Sequence, residues 1–313
     1  MKKRLPYWDN LKGFLILLVV FGHLLQLTTN GSETAVYKLI YLFHMPLFIF
    51  CSGALSTFSL RKMLKSLLMP YLLLQVICCL CTKQPVQLIT PYWMLWYLPA
   101  LFVWRLCIPV LSRASRKTSV VVVALLLLLG CAAGFVDKIG YAFTLSRVLV
   151  FAPYFAAGYY AKKYAWFKPE QAFSRKAVWL FSAASLLLCA AFLYLSPLFR
   201  AEWLYGTYSY TADEYSIFFR AAQYAAAALI GFTILLLIPK THTVFTAWGL
   251  ESFTLYIAHI ALLPMLQFVF PKLRISLQYA LCVISALCFC AAMPWLKSQI
   301  ILWKASPRKP NKV

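Results

Sequence analysis

A hydrocarbon bilayer is about 30 Å thick, and an α-helix needs about 20 apolar residues to cross it. This 313-residue chain carries ten such stretches in succession, at about 11–29, 37–57, 66–81, 92–112, 118–135, 141–161, 177–196, 215–238, 245–269 and 277–303. Within a bilayer the backbone polar groups of a segment must pair among themselves, so runs of this length have to be helices. The expected fold is all-α: a polytopic bundle of about ten transmembrane helices forming one domain over residues 1–313. The links are too short for a soluble domain. Composition agrees, with 63% apolar residues, 12% charged residues and a mean hydropathy of +0.77, too little polar surface to cover a water-soluble core. No internal repeat, low-complexity tract or Gly/Ser linker divides the chain. The opening MKKRLPYWDN has the basic character of a secretory leader, but no small-residue cleavage site follows its apolar run. It reads as a retained first span.

A net charge of +22, from 30 Lys/Arg against 8 Asp/Glu, would suggest nucleic acid in a soluble protein. Here no arginine-rich or aromatic nucleic-acid motif accompanies it, so no nucleic-acid partner is expected. The charges alternate instead. With the N-terminus in the cytoplasm, the inward links and tails hold nineteen Lys/Arg, and the outward links hold five: Lys83, Lys138, Arg200, Lys272 and Arg274. That asymmetry predicts a multi-pass plasma-membrane protein with both termini cytoplasmic. The ten cysteines sit mostly within apolar runs and match no zinc or haem spacing, so they read as small packing residues and no metal is expected.

Ionisable groups at bilayer depth are costly unless they face a cavity or a partner, which makes the few present here informative. The first stretch, DNLKGFLILLVVFGHLLQLTT, has Lys12 near its start and His23 deep inside it. Eleven positions are close to three helical turns, so the two side chains share a face about 16 Å apart along the axis. A cation at the membrane edge and a proton-handling imidazole in the interior suit a long donor with an anionic head and a reactive far end, such as acyl-coenzyme A. His44 and His259 lie at comparable depths, and Gln26 is one turn beyond His23. A neutral imidazole can take a proton from a hydroxyl and return it. Arg147 and Arg220, near span ends, could hold anionic groups of an acceptor or brace the bundle. Arg105 could snorkel to the interface. Lys12 could also pair with Asp9 one turn earlier, Glu251 could be a helix-start acid, and Arg61, Lys62 and Lys65 could be positive-inside charges or a phosphate site.

Several stretches together resemble the membrane acyltransferase type 3 family, in the branch of fucose 4-O-acetylase and related acetyltransferases. WDNLKGFLILLVVFGHLLQ is similar to its first helix, whose hallmark is an Arg or Lys followed, after ten intervening residues, by a His; Lys12 and His23 hold those places. YLFHMPLFIFCSGAL, with His44, is similar to the second-helix signature, and LRKMLKSLLMPYL to the basic motif before a Pro-Tyr. MLWYLPALFVWRL, SRVLVFAPYFAAGYYAKK and GLESFTLYIAHIALL match weaker aromatic-rich patterns. Where the family often has two arginines three apart, this chain has Lys62 and Lys65, which bind phosphate as point charges without the bidentate fork.

The resemblance implies transfer of an acyl group, usually acetyl from cytoplasmic acetyl-CoA, to a hydroxyl of a cell-envelope or exported glycan or its lipid-linked precursor. It implies His23, Lys12 and His44 as catalytic residues, with Lys12, Arg61, Lys62 and Lys65 on the phosphates of the donor. Arg147, Arg220 and His259 are the candidate contacts of the acceptor. No fused extracytoplasmic esterase-like domain follows the last span, so transfer is expected to finish within the membrane domain or on a separate protein. Two rivals share the buried polar groups: a glycolipid or small-solute transporter, and an inactive sensing relative. The inverted repeats and broken helix pairs of transporters are not evident.

Overall fold

The computed structural model describes residues 5–137, 142–169, 173–211, 215–267 and 269–305. The basic residues 1–4, Lys138 and the tail from residue 306 lie outside them. Among the described residues the chain is helical with no strand. The main helices are α1 (Pro6–Leu25), α2 (Ala35–Leu55), α3 (Leu60–Cys81), α4 (Tyr97–Leu106), α5 (Arg116–Ala132), α6 (Leu145–Lys163), α7 (Arg175–Leu195), α8 (Ile217–Leu237), α9 (Val244–Leu250), α10 (Ser252–Leu266) and α11 (Ile275–Ala305). The residues group into two compact units, Met1–Tyr37 with Leu237–Val313, and Lys38–Leu236.

Each of the ten expected stretches is helical, but seven described helices are long and apolar enough to cross a membrane. The other three have visible physical causes. Stretch 92–112 breaks at Cys107 into α4 and the turn Ile108–Leu111, where Pro109 lacks the N–H that would continue the ladder. Stretch 245–269 breaks at Glu251, which ends α9 and precedes α10 at φ −98°, ψ 11°. Helix α6 is continuous, but Arg147, Lys162 and Lys163 dilute its apolar character.

In the first unit α1 is the central rod, buried around most of its circumference. Its crossing with α9 is set by two glycines. A Cβ on Gly249 would lie 1.8 Å from the carbonyl oxygen of Asp9, and one on Gly13 would lie 2.0 Å from that of Phe245. Neither contact is possible for a real side chain, so the two backbones touch only because both positions are glycine. Asn10 fixes the rotation of α1 beside this crossing. Its amide donates to the carbonyls of Pro239 (2.8 Å) and Thr241 (2.7 Å) and accepts from the hydroxyls of Thr243 (2.9 Å) and Thr246 (2.5 Å). All four hydrogen-bonding positions of a fully buried amide are thereby used. Thr243 and Thr246 also form the capping box that starts α9. At the far end, Gln278 of α11 accepts from the Thr29 amide (2.8 Å) and donates to the carbonyls of Phe270 and Leu273.

The second unit repeats the glycine device with longer helices. A Cβ on Gly53 of α2 would lie 2.1 Å from the oxygen of Phe155, and one on Gly158 of α6 would lie 1.9 Å from that of Phe50. Helix α3 carries a π-turn at Leu64–Leu68, closed by the Met69 amide on the carbonyl of Leu64. It directly precedes Pro70, where an ordinary α-turn would require the N–H that proline lacks. One turn further, Tyr71 and Gln75 project four residues apart and hold the link to α4. The Tyr71 hydroxyl donates to Leu88, the Gln75 amide donates to Gln87 (2.5 Å) and Thr90 (3.0 Å), and it accepts from the Tyr92 amide (2.7 Å).

Candidate active site

Lys12 and His23 both look toward the α9–α10 segment. The Lys12 ammonium lies 2.9 Å from the carboxylate of Asp9 and donates to the carbonyl of Gly249 at 2.9 Å. The pairing with Asp9 open at the sequence level is therefore formed, with Asp9 almost fully buried. Two acceptors leave one ammonium hydrogen for a further anionic group. Eleven positions on, the His23 ring stacks on that of His259 in α10, centroids 5.4 Å apart at 25°. Helical periodicity put Lys12 and His23 on one face, and in the structure that face meets one continuous stretch of chain, 244–266.

Hydrogen bonding fixes the tautomer of His23. Its Nδ1 lies 3.1 Å from Gln26 Oε1, and an amide oxygen only accepts, so Nδ1 carries the hydrogen and Nε2 the basic lone pair. Gln26 is oriented in turn by donating from Nε2 to the Tyr37 hydroxyl at 2.6 Å. His259 follows the same rule, with Nδ1 3.3 Å from the carbonyl of Leu255. It is fully buried, and its Nε2 has no hydrogen-bond partner among the described residues. The pair thus presents two ring-nitrogen lone pairs, that of His259 fully buried and that of His23 on a partly exposed ring. Glu251, at the helix break, is held by Lys297 at 2.6 Å and by the Thr254 hydroxyl at 3.1 Å.

The remaining candidates lie in the second unit. His44 is buried, with Nδ1 2.7 Å from the carbonyl of Ile40, which again leaves Nε2 as the basic atom. Tyr41 meets its ring edge-on at 4.8 Å and lies 5.5 Å from Tyr205. Arg147 donates from Nε to the Tyr205 carbonyl (3.1 Å) and covers the Trp96 ring at 4.9 Å. His44 and Arg147 therefore belong to one aromatic-lined cluster through Tyr41 and Tyr205. Arg220 stands elsewhere and is fully buried. Its guanidinium donates to the Tyr215 hydroxyl and to the carbonyls of Gly130 (3.1 Å) and Tyr208 (3.2 Å), between the rings of Tyr210 and Tyr215. That is the geometry of a brace. Arg105 donates to the Ser56 hydroxyl at 3.0 Å. Arg61, Lys62 and Lys65 are solvent-exposed on the first turns of α3, at and before the π-turn.

Sequence reasoning passed over three polar side chains that the structure makes prominent. Asn10 stands in the first-helix motif with no role of its own, and Tyr37 reads as a span-end aromatic of the interfacial belt. Lys38 is buried with its ammonium on the carbonyls of Ser196 (3.0 Å) and Phe199 (2.7 Å). A lysine inside an apolar stretch was the available signal for the last. Among the described residues no three His, Cys, Asp or Glu side chains form a group that could hold a metal.

Residues 5–295 match a family model described as an acyltransferase domain, the type 3 family. The chain belongs to the acyltransferase type 3 family. Shorter matches accompany it. The nodulation protein NolL of Sinorhizobium fredii (strain NBRC 101917 / NGR234) is 47% identical over 60 residues, 18% of this chain and 16% of that protein. The nodulation protein NolL of Mesorhizobium japonicum (strain LMG 29417 / CECT 9101 / MAFF 303099) is 45% identical over the same length and shares. The chain thus spans about one sixth of the length of these curated relatives. No solved structure matches it. Together with seven bilayer-length apolar helices, the acyltransferase 3 assignment makes this an integral membrane protein with an acyltransferase domain.

Proposed function

We propose that the protein is a membrane O-acetyltransferase that moves acetyl from acetyl-CoA to a hydroxyl of a cell-envelope or exported glycan, or of its lipid-linked precursor. The observation carrying this reading is the fixed tautomer of His23, whose basic Nε2 lies on the face of α1 that also bears Lys12. In the reaction, the acceptor oxygen attacks the thioester carbonyl carbon and passes its proton to His23 Nε2. The C–S bond breaks, and the proton returns from the imidazolium to the thiolate of coenzyme A. Lys12 keeps one ammonium hydrogen for an anionic group of the donor, and in the second unit the exposed Arg61, Lys62 and Lys65 suit phosphate, the lysines as point charges. His259 supplies an acceptor for a substrate hydrogen through Nε2. In the second unit, His44 orients a reacting group and Arg147 holds an anionic acceptor group. Arg220 keeps the architecture around them in place. The positive-inside asymmetry of the sequence supports a donor end on the cytoplasmic side of a plasma membrane.

The test is mass spectrometry of envelope glycans from cells with wild-type protein, no protein, or the His23→Ala variant at equal abundance. One acetyl per repeat unit should disappear in the last two. Acetylation that persists in His23→Ala removes that imidazole from the chemistry. Labelled acetyl-CoA should bind the purified protein and bind less to a Lys62→Ala/Lys65→Ala double variant, an outcome that a transporter would not give.

A further inference from the structure

The second unit contains a cavity of about 370 Å³ between the end of α7 and the start of α8. Its wall is apolar, formed by residues such as Leu188, Phe192, Leu195, Phe219 and Ala226. Two polar side chains interrupt it, Trp203 and Gln223, each more than nine-tenths buried. Neither is satisfied. Trp203 Nε1 and Gln223 Oε1 have no hydrogen-bond partner among the described residues. The Gln223 amide is oriented by donating from Nε2 to the carbonyl of Leu204 at 3.3 Å. The indole packs against Phe199, Tyr215 and Phe219, with centroids 6.4, 5.4 and 5.1 Å away, so it cannot swing to another acceptor. Leaving a buried donor and a buried acceptor unmade is costly, and such orphan groups on an apolar cavity call for a ligand that supplies both complements.

We propose that this cavity binds an uncharged, hydroxyl-bearing lipid, with its hydrocarbon chain along α7 and α8 and its hydroxyls on Trp203 and Gln223. The chemistry selects the class. Hydroxyl oxygen accepts from the indole N–H, and hydroxyl hydrogen is donated to the amide oxygen. A carboxylate or phosphate has no hydrogen to give Gln223, and an ammonium has no lone pair for Trp203. No charged side chain lines the cavity, and Lys38, which reaches Phe199, is directed at two backbone carbonyls. The lining of α7 from Leu188 to Leu195 runs roughly 10 Å along the helix, which accommodates a chain rather than a sugar. The proposal stands independently of the transfer reaction.

The probe is a diazirine-bearing analogue of hexadecanol, photolysed on full-length protein in phosphatidylcholine nanodiscs, with the cross-linked peptides mapped by mass spectrometry. Labelling should concentrate on peptides spanning 188–199 and 219–226. Unlabelled hexadecanol should compete for it, and hexadecane and hexadecanoate should not. Gln223→Leu and Trp203→Phe should each weaken competition by about tenfold, the loss of one buried hydrogen bond. Ala226→Phe, which fills the cavity, should abolish labelling while the protein stays monodisperse. If Trp203→Phe fails to fold, the other two variants decide. Labelling spread evenly over the apolar helix faces would mean bulk bilayer lipid only and would overturn the proposal, as would labelling that survives Gln223→Leu and Ala226→Phe.

Discussion

Each unit has one pair of helices brought into backbone contact by reciprocal glycines, but the two crossings differ in their surroundings. Around Gly13 and Gly249 the neighbours are polar: the Asp9–Lys12 pair, the four bonds of Asn10, and the capping box of a two-turn helix. Around Gly53 and Gly158 they are apolar, and one hydroxyl, Ser52, donates to Phe48 (2.9 Å) and lies 2.5 Å from the Tyr97 hydroxyl. Phe50 and Ala157 beside that crossing line a second apolar cavity of about 380 Å³. The same steric device therefore serves two ends. In the first unit it sets the register of the helix that bears Lys12 and His23, and in the second it lies beside an apolar cavity.

The largest effects should come from the glycines. Gly249→Ala and Gly158→Ala force a Cβ into backbone oxygen and should each cost about 3 kcal/mol or more, read as loss of monodisperse protein on size-exclusion chromatography. Gly231→Ala is the control. Its Cβ would meet only Leu47 at 3.6 Å, so the variant should be neutral or slightly stabilised by better helix propensity. Equal tolerance at all three positions would end the comparison.

The polar surroundings should rank next. Asn10→Ala leaves two carbonyls and two hydroxyls without their partner and should destabilise by about 3 kcal/mol, against about 1 kcal/mol for Ser52→Ala, measured by thermal unfolding in one detergent. Similar losses would mean that the first crossing owes nothing to its polar frame. Gln26→Leu should move activity rather than stability. Without the Oε1 acceptor the hydrogen bond that holds Nδ1 as the donor is lost, so kcat should fall by about tenfold or more with KM little changed, and the pH–rate profile should shift. The smallest effect lies outside both crossings. Hydrogen bonds from Ser209 and Thr211 hold the exposed carboxyl of Asp137 below the usual carboxylate range. Its contribution is present above the ordinary carboxylate value and fades as pH falls through the lowered one. The difference in melting temperature between wild type and Asp137→Asn should therefore shrink on acidification.

These residues also mark how far the sequence could be read. Lys12, His23 and the helical nature of every apolar stretch follow from local spacing, and the structure places both side chains against 244–266. The pairing of Lys12 with Asp9 was one of two local options and it formed. The partners of Gly13 and Asn10 could not be read, because they lie more than two hundred residues away and no periodicity reports them. Glycine in four of the motif stretches was nonetheless a hint, since it costs about 1 kcal/mol inside a helix and asks for a compensating contact. Pro109 announced one broken span. The break at Glu251 had no local sign, because a charged residue ahead of an apolar run also suits an ordinary helix start.

The wide turn ahead of Pro70 has one further consequence. It holds one residue more than a regular turn, so the segment before it is rotated by roughly 100° relative to the body of α3. Arg61 and Lys62 therefore leave the rod at an azimuth that counting back from Tyr71 and Gln75 in steps of 3.6 would miss. A deletion of Ser66 would straighten the helix and swing both cations to a new side without altering a single charge.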